Sequence, residues 1–189
     1  MELVFATHNK NKLIEVRALL PHSFKILSLD DIGCTEEIEE TGETIEDNAI
    51  IKANYVTETY GYDCFADDSG LEVKALNGEP GVFSARYAGA NKNSKDNIEL
   101  LLKNMEGVTN REARFKTVIA LNLEKTKVMF HGIVNGTITE AARGKGGFGY
   151  DPVFLPDEYS KTFAELPLTV KNEISHRSQA MRQLIDYLK

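Results

Sequence analysis

The sequence predicts a mixed α+β fold, α/β in layering, with a mixed β-sheet flanked by helices. Three observations carry this: a short apolar run followed by a helical period opens the chain, two long alternating stretches run back to back in the middle, and an amphipathic helical pattern closes it. Alternating stretches separated by only a few residues read as an antiparallel pair, which a strictly parallel layering with a helix after every strand does not contain.

Leu3 to Ala6 reads as a strand that breaks at Thr7-His8-Asn9, a turn composition. Leu13, Val16, Leu19 and Leu20 then recur at helical spacing over residues 12–20, ending at Pro21. A strand–loop–helix frame of this kind often presents a phosphate site at the helix N-terminus. Residues 24–29 read as a second strand. An acidic stretch follows, with Glu36, Glu37, Glu39, Glu40, Glu43, Glu46 and Asp47. Within it Thr44 and Asp47 have capping-box spacing, and Ile45, Ala49, Lys52, Ala53 and Val56 share one face of a helix over 44–59.

Cys64-Phe65-Ala66 reads as a strand, Asp67-Asp68-Ser69-Gly70 as a tight polar turn, and Leu71 to Leu76 as the next strand. Ser94 to Met105 is a capped helix with Ile98, Leu101 and Leu102 inward. Residues 113–124 and 127–139 are the paired strands, Gly144 to Pro152 is a glycine-rich loop, and Asn172 to Leu188 is the closing helix, carrying Ile174, Met181, Leu184, Ile185 and Leu188. No repeat, low-complexity tract or Pro/Ser linker divides the 189 residues, so one domain over 1–189 is expected.

Lys and Arg number 22 against 29 Asp and Glu, a net charge of −7. That balance argues against duplex nucleic acid or an anionic membrane as partner, since both attract excess cationic charge. With 42% apolar and 27% charged residues the chain buries a core, which excludes global disorder. Two cysteines, Cys34 and Cys64, supply neither a disulfide framework nor a four-thiolate zinc site; buried reduced thiols are expected. The opening apolar run is too short for a signal-peptide core and no window approaches the ~18 apolar residues of a membrane span, so a cytoplasmic setting is expected.

Five groups carry candidate chemistry, and each alone has an ordinary reading as cap, turn, solvated face or hairpin. Thr7, Asn9 and Lys12 offer hydroxyl, amide and ammonium donors to phosphate oxygens, with backbone N–H groups of His8, Lys10 and Asn11 beside them. The Asp67-Asp68 pair suits Mg²⁺, or the orientation and deprotonation of a water. Glu40 lies in the acidic stretch and Lys52 on the helix after it. Phe148, on the glycine-rich loop with Tyr150 and Asp151, suits stacking on a nucleobase. The same loop matches G-x-G-x-x-G at Gly144, Gly146 and Gly149, but Pro152 follows where a dinucleotide fold needs a helix. Lys171 and Ser175-His176-Arg177 stand on the first turns of the closing helix, where they can donate to carbonyl or phosphate oxygens. No nucleophile elbow, zinc-helix motif or Walker A sequence occurs.

Taken in order, T-x-N-x-x-K at 7–12, E-E-T-G-x-T at 39–44, Asn48-Ala49 with Lys52-Ala53, DDSGLEV at 67–73, GxxSARYAG at 81–89, GGFGYDPVF at 146–154, AEL at 164–166 and K-x-x-I-S-H-R at 171–177 resemble the inosine triphosphate pyrophosphatase family across nearly the whole chain. The resemblance implies a long, curved, mixed sheet with helices forming two lobes, a site in the cleft between them, and a homodimer. It implies Mg²⁺-dependent hydrolysis of noncanonical purine nucleoside triphosphates (ITP, dITP, XTP) to the monophosphate and pyrophosphate. By the same similarity Thr7, Asn9, Lys12 and Lys52, with His8, Lys10 and Asn11 nearby, hold the triphosphate. Asp68 is the catalytic group and, with Glu40, the metal ligand. Ser69 adds a phosphate or sugar contact; Phe148 stacks on the base, and Gly149, Tyr150, Asp151, Lys171, His176 and Arg177 complete the nucleoside pocket.

The choice of Asp68 over Asp67 as base comes from the motif match alone. His8 and Lys10 depart from the small and variable residues of many relatives. Donors such as His176, Arg177 or a backbone N–H would accept the 6-carbonyl of inosine or xanthosine and be left unpaired by adenosine. Two rival readings of the same residues are a purine-nucleotide module without turnover and a phosphohydrolase that removes the terminal phosphate.

Overall fold

Period-two alternation and helical periodicity resolve into eleven regular elements among the described residues: β1 (Glu2–Phe5), α1 (Lys10–Leu19), β2 (Lys25–Leu27), α2 (Ile45–Tyr60), β3 (Cys64–Val73), α3 (Ser94–Asn104), β4 (Glu112–Leu123), β5 (Thr126–Ile138), β6 (Phe154–Pro156), α4 (Leu168–Ile174) and α5 (His176–Tyr187). The computed structural model describes residues 2–21 and 23–189. The strands form one sheet in the order β2-β1-β3-β4-β5-β6. It is mixed, as expected. β1 runs parallel to β2, with Leu3 opposite Ile26, and parallel to β3, with Phe5 opposite Phe65, whereas β5 and β6 are antiparallel, with Thr137 opposite Leu155. Only two residues join the neighbours β4 and β5, a connection open only to antiparallel strands, and Glu124 takes the positive φ (53°) that such turns need.

Two expectations are corrected. β3 runs unbroken through Asp67-Asp68-Ser69-Gly70, where turn composition suggests two strands and a turn. Pairing within the sheet and cationic partners for both carboxylates override the local preference. The closing helix is two helices: α4 starts early, after Pro167, and stops at Ser175, whose extended backbone (φ −65°, ψ 156°) redirects the chain before α5. The three-residue β6 is too short to announce itself by alternation.

The chain divides into two compact units. The first takes the chain up to Asp68, Thr117–Gly132 and Arg177–Lys189; the second takes Ser69–Lys116 and Ile133–His176. In the first unit successive sheet residues feed different apolar clusters. Val4, Ala6, Cys64, Ala66, Val118 and Ala120 pack with Ala49, Ala53 and Val56 of α2, while Leu3, Phe5, Phe65, Ile119 and Leu121 pack with Val16 of α1 and Met181 and Leu184 of α5. Phe5 and Phe65 stack at 4.7 Å across the β1–β3 pairing. The core of the second unit gathers Leu71, Val73, Leu101, Phe115, Phe154 and Phe163, with Phe115 and Phe154 at 4.6 Å. Both cysteines are buried free thiols. Among the described residues no helix is long and apolar enough to cross a membrane.

The capping box at the head of α2 is complete. Asp47 N donates to Thr44 Oγ1 at 3.1 Å and Thr44 N donates to Asp47 Oδ2 at 3.1 Å. Gly42, just before it, has no room for a Cβ, which would press on Asp47 Cβ at 2.5 Å and on the Asn48 side chain. The replacement Thr44→Ala should lower unfolding free energy by about 1 kcal/mol. Urea titration reads this as an earlier midpoint at unchanged slope; an unmoved midpoint would contradict the assignment of the cap.

Candidate active site

The unbroken run of β3 decides the geometry of the first unit, because adjacent residues of a strand face opposite sides. Cys64 and Ala66 face the α2 cluster and Phe65 faces the cluster of α1 and α5. Asp68 therefore extends the α2 face and Asp67 the other. Partners match that parity. Lys12 of α1 donates to Asp67 Oδ1 at 3.0 Å and Arg177 of α5 donates through Nε to Asp67 Oδ2 at 3.0 Å, while Arg177 Nη1 donates to Glu15 of α1. On the α2 face Lys52 donates to Glu40 Oε1 at 2.5 Å and to Asp68 Oδ1 at 3.3 Å.

The two aspartates are driven apart electrostatically. Burial alone would raise the Asp67 carboxyl, but Lys12, Arg177 and Lys52 outweigh it and hold the group below the usual carboxylate range. Burial also raises Asp68; Lys52 and Lys12 offset this only in part, and Glu40 and Asp67 add to it, so its proton affinity lies above the usual value. Burial lowers the Lys12 ammonium, and Lys52 and Arg177 lower it further against the pull of Asp67. For Lys52 burial is outweighed by Asp68 and Glu40, and the group is raised. Two carboxylates on one ammonium, Glu40 and Asp68, form the small oxygen set that a hard divalent cation accepts when it keeps several waters. A larger metal-holding group of His, Cys, Asp or Glu does not occur among the described residues.

The β1–α1 loop of the same unit is organised by its own side chains. Asn9 N donates to Thr7 Oγ1 at 3.1 Å, and Asn9 Oδ1 caps α1 by accepting from Asn11 N at 3.0 Å and Lys12 N at 3.2 Å. In this structure the Asn11 N–H is engaged by the cap. His8 Nε2 lies 2.9 Å from the Glu36 carbonyl, and His8, Lys10 and Asn11 are exposed.

In the second unit the glycine-rich loop is knitted by Asp151, whose Oδ2 accepts from Phe148 N at 2.8 Å and from Lys171 Nζ at 2.6 Å. Gly147 sits at φ +69° with the Asp151 carboxylate where a Cβ would stand, so only glycine fits. Lys171 Nζ also lies over the rings of Phe148 (4.9 Å) and Phe163 (5.7 Å). Phe148, Gly149 and Ser69 are half-buried. Tyr150 is buried with its hydroxyl donating to the Ser84 carbonyl at 2.8 Å, which anchors the loop to the SARYAG stretch. His176 is buried face to face with Phe115 at 4.6 Å.

The structure thus brings Lys12, Lys52, Glu40, Asp68 and Arg177 into one charged network in the first unit, and Phe148, Asp151 and Lys171 into one in the second. Arg177 has its Nε on Asp67 and its Nη1 on Glu15. Sequence reasoning missed Glu15, Ser84 and Phe115. Glu15 carried a signal, an acid three residues after Lys12 on the apolar side of a helix; Ser84 and Phe115 carried none beyond their motif or strand pattern.

A profile of the Ham1 family matches residues 3–187. A dITP/XTP pyrophosphatase of Flavobacterium johnsoniae is 62% identical over 188 residues, covering 100% of this chain and 98% of that protein. One of Flavobacterium psychrophilum is 58% identical over 189 residues, covering both chains fully. The solved structure of a HAM1 protein from Coxiella burnetii superposes with a TM-score of 0.91 at 42% identity, covering 100% of this chain and 98% of that one.

Because Asp67 is held below its unfolded-state value of about 3.9, its ion pairs contribute fully above that pH and are lost as pH falls through the lowered folded value. Asp67→Asn should cost about 3 kcal/mol at neutral pH, since Arg177 and Lys12 lose a buried partner. It should also flatten the loss of stability below about pH 4. Denaturant titrations at several pH values check both; a variant as stable as the parent at pH 7 would refute the role.

Proposed function

This chain belongs to the Ham1 family, and from that premise we propose that it is a hydrolase converting noncanonical purine nucleoside triphosphates, dITP, ITP and XTP among them, to the monophosphate and pyrophosphate. The observation that carries this reading is the inequality of Asp67 and Asp68. Both Asp67 oxygens are in ion pairs, with Lys12 and Arg177, whereas Asp68 shares Lys52 with Glu40, and unequal surroundings for adjacent carboxylates suit a divided task. Asp67, with both oxygens in ion pairs, is a weak base and a fixed counter-charge. Asp68, whose carboxylate shares one ammonium with Glu40, takes the proton of a water whose oxygen attacks the α-phosphorus. The bond to the α,β-bridging oxygen breaks and pyrophosphate leaves with its electrons.

A triphosphate brings about four negative charges to a protein of net charge −7, so its tail needs local cations. Lys12 and Lys52 supply them, and Thr7 and Asn9 add neutral donors on the β1–α1 loop. Glu40 and Asp68 would hold a divalent cation, Mg²⁺ in our reading, which when bound supplies positive charge against the phosphate oxygens and the leaving group. Arg177 keeps Asp67 ionised and oriented. In the second unit Phe148 offers a ring to the purine, Asp151 and Lys171 fix that ring's loop, and Ser69 adds a sugar or phosphate contact. His176, buried against Phe115, is the side chain we assign to the 6-carbonyl; a purine with an amino group there leaves the donor unpaired at a cost of ~1–3 kcal/mol. The proposal includes a homodimer, for which exposed Phe83 and Leu168 are interface candidates, and a reducing cytoplasmic setting, supported by two buried thiols.

Incubation with dITP and Mg²⁺ followed by product identification tests the reaction. Monophosphate plus pyrophosphate supports it, diphosphate plus phosphate favours terminal-phosphate removal, and binding without products favours a sensing module. Asp68→Asn should lower kcat by roughly 10²–10⁴ while the unfolding midpoint stays close to the parent's; near-normal turnover would remove Asp68 from the chemistry.

A further inference from the structure

The acidic stretch before α2 has the composition of a solvated face, yet Glu36 is built into the first unit. Its Oε1 accepts from the hydroxyls of Tyr55 and Tyr60, each at 2.6 Å, and its Oε2 accepts from Thr35 N at 3.1 Å. These bonds, the tyrosines first, hold the carboxyl down to about 2, so it stays an acceptor at any working pH. Cys34 and Ile38 on either side are buried, while Thr35, Glu37 and Glu39 are exposed; two residues further, Glu40 reaches Lys52. Glu36 is itself exposed and stands at a bend, so the stretch is held by the burial of Cys34 and Ile38, by the bonds of the Glu36 carboxylate and by Glu40, and the Glu36 carbonyl meets His8 Nε2 at 2.9 Å. A carbonyl only accepts, so Nε2 carries the proton. His8 stands between Thr7 and Asn9, and among the described residues the remaining side-chain bonds of residues 7–11 are local, Thr7 with Asn9 and Asn9 with Asn11 and Lys12.

We propose that Glu36, clamped by Tyr55 and Tyr60, is a positioning residue that holds His8 and through it sets the β1–α1 loop for the triphosphate tail, an inference that rests on the assignment of that loop to phosphate. Glu36 touches no reacting atom in this scheme. The clamp makes the loop's conformation independent of substrate, so its loss is felt as weaker binding of the tail and leaves the chemical step alone.

Steady-state kinetics with dITP and Mg²⁺ on the parent, His8→Ala, His8→Gln, Tyr55→Phe/Tyr60→Phe and the combined Tyr55→Phe/Tyr60→Phe/His8→Ala chain test this. The double tyrosine variant and His8→Ala should each raise KM about three- to tenfold, the effect of one ordinary hydrogen bond, with kcat within about twofold. The combined variant should be no worse than His8→Ala, because both act through one contact. His8→Gln, whose amide can donate to the same carbonyl, should bring KM back to within about twofold of the parent. Unchanged KM, a parallel fall in kcat, or effects that multiply in the combined chain would overturn the inference. If the double tyrosine variant does not fold, Tyr55→Phe and Tyr60→Phe, each keeping one clamp bond, take its place in the cycle with His8→Ala. A parent that yields no monophosphate and pyrophosphate from dITP refutes the functional reading itself; a parent that turns over beside variants of unaltered KM refutes only the positioning role.

Discussion

Two neighbouring carboxylates cannot both be buried in one strand unless each finds positive charge, and the alternation of a strand forbids them from sharing the same side of the sheet. β3 meets this constraint by recruiting three helices. Lys12 of α1 and Arg177 of α5 neutralise Asp67, and Lys52 of α2 meets Asp68 together with Glu40. Most of the first unit follows from it: α1 must present Lys12, the chain must break at Ser175 so that α5 begins with His176 and Arg177, and the acidic stretch must return Glu40 to α2. The pairing is unequal, with two cations on Asp67 and one shared ammonium on Asp68. That inequality holds the Asp67 carboxyl below the usual carboxylate range and leaves that of Asp68 above it.

The same economy of charge explains how an acidic protein can serve an acidic substrate. Lys12, Lys52, Lys171 and Arg177 are all largely or wholly buried beside carboxylates. Cations held this way sit in fixed positions and low dielectric, and in the proposed reading Lys12 and Lys52 are the two that meet the phosphate tail. In the second unit the Asp151–Lys171 pair has a different task, since it braces a glycine-rich loop whose Gly147 leaves room for nothing but the Asp151 carboxylate.

Much of the fold is legible in the chain. The α2 capping box, the paired alternation of β4 and β5 and the apolar faces of α1 and α3 stand where spacing puts them, because each is written in local chemistry. What is not legible depends on partners distant in sequence. DDSG has the composition of a turn, and it is a strand because of pairing within the sheet and of cations 55 residues upstream and 110 downstream of Asp67. The break at Ser175 has no glycine or proline to announce it. Motif matching names Asp68, Lys12 and Phe148, but not that Arg177 serves Asp67 through Nε, nor that Tyr150 and Glu36 are engaged in anchoring loops. Those roles follow from who lies opposite whom, which spacing alone does not encode.

Site-specific titration of the two β3 carboxyl groups by ¹³C NMR, in the ligand-free protein, tests the central claim most directly. The account predicts that the Asp67 signal shows no protonation down to pH values where free aspartate is mostly neutral, while Asp68 titrates above the free-aspartate value of about 3.9. Coincident titrations, or Asp67 protonating before Asp68 as the pH is lowered, would contradict it.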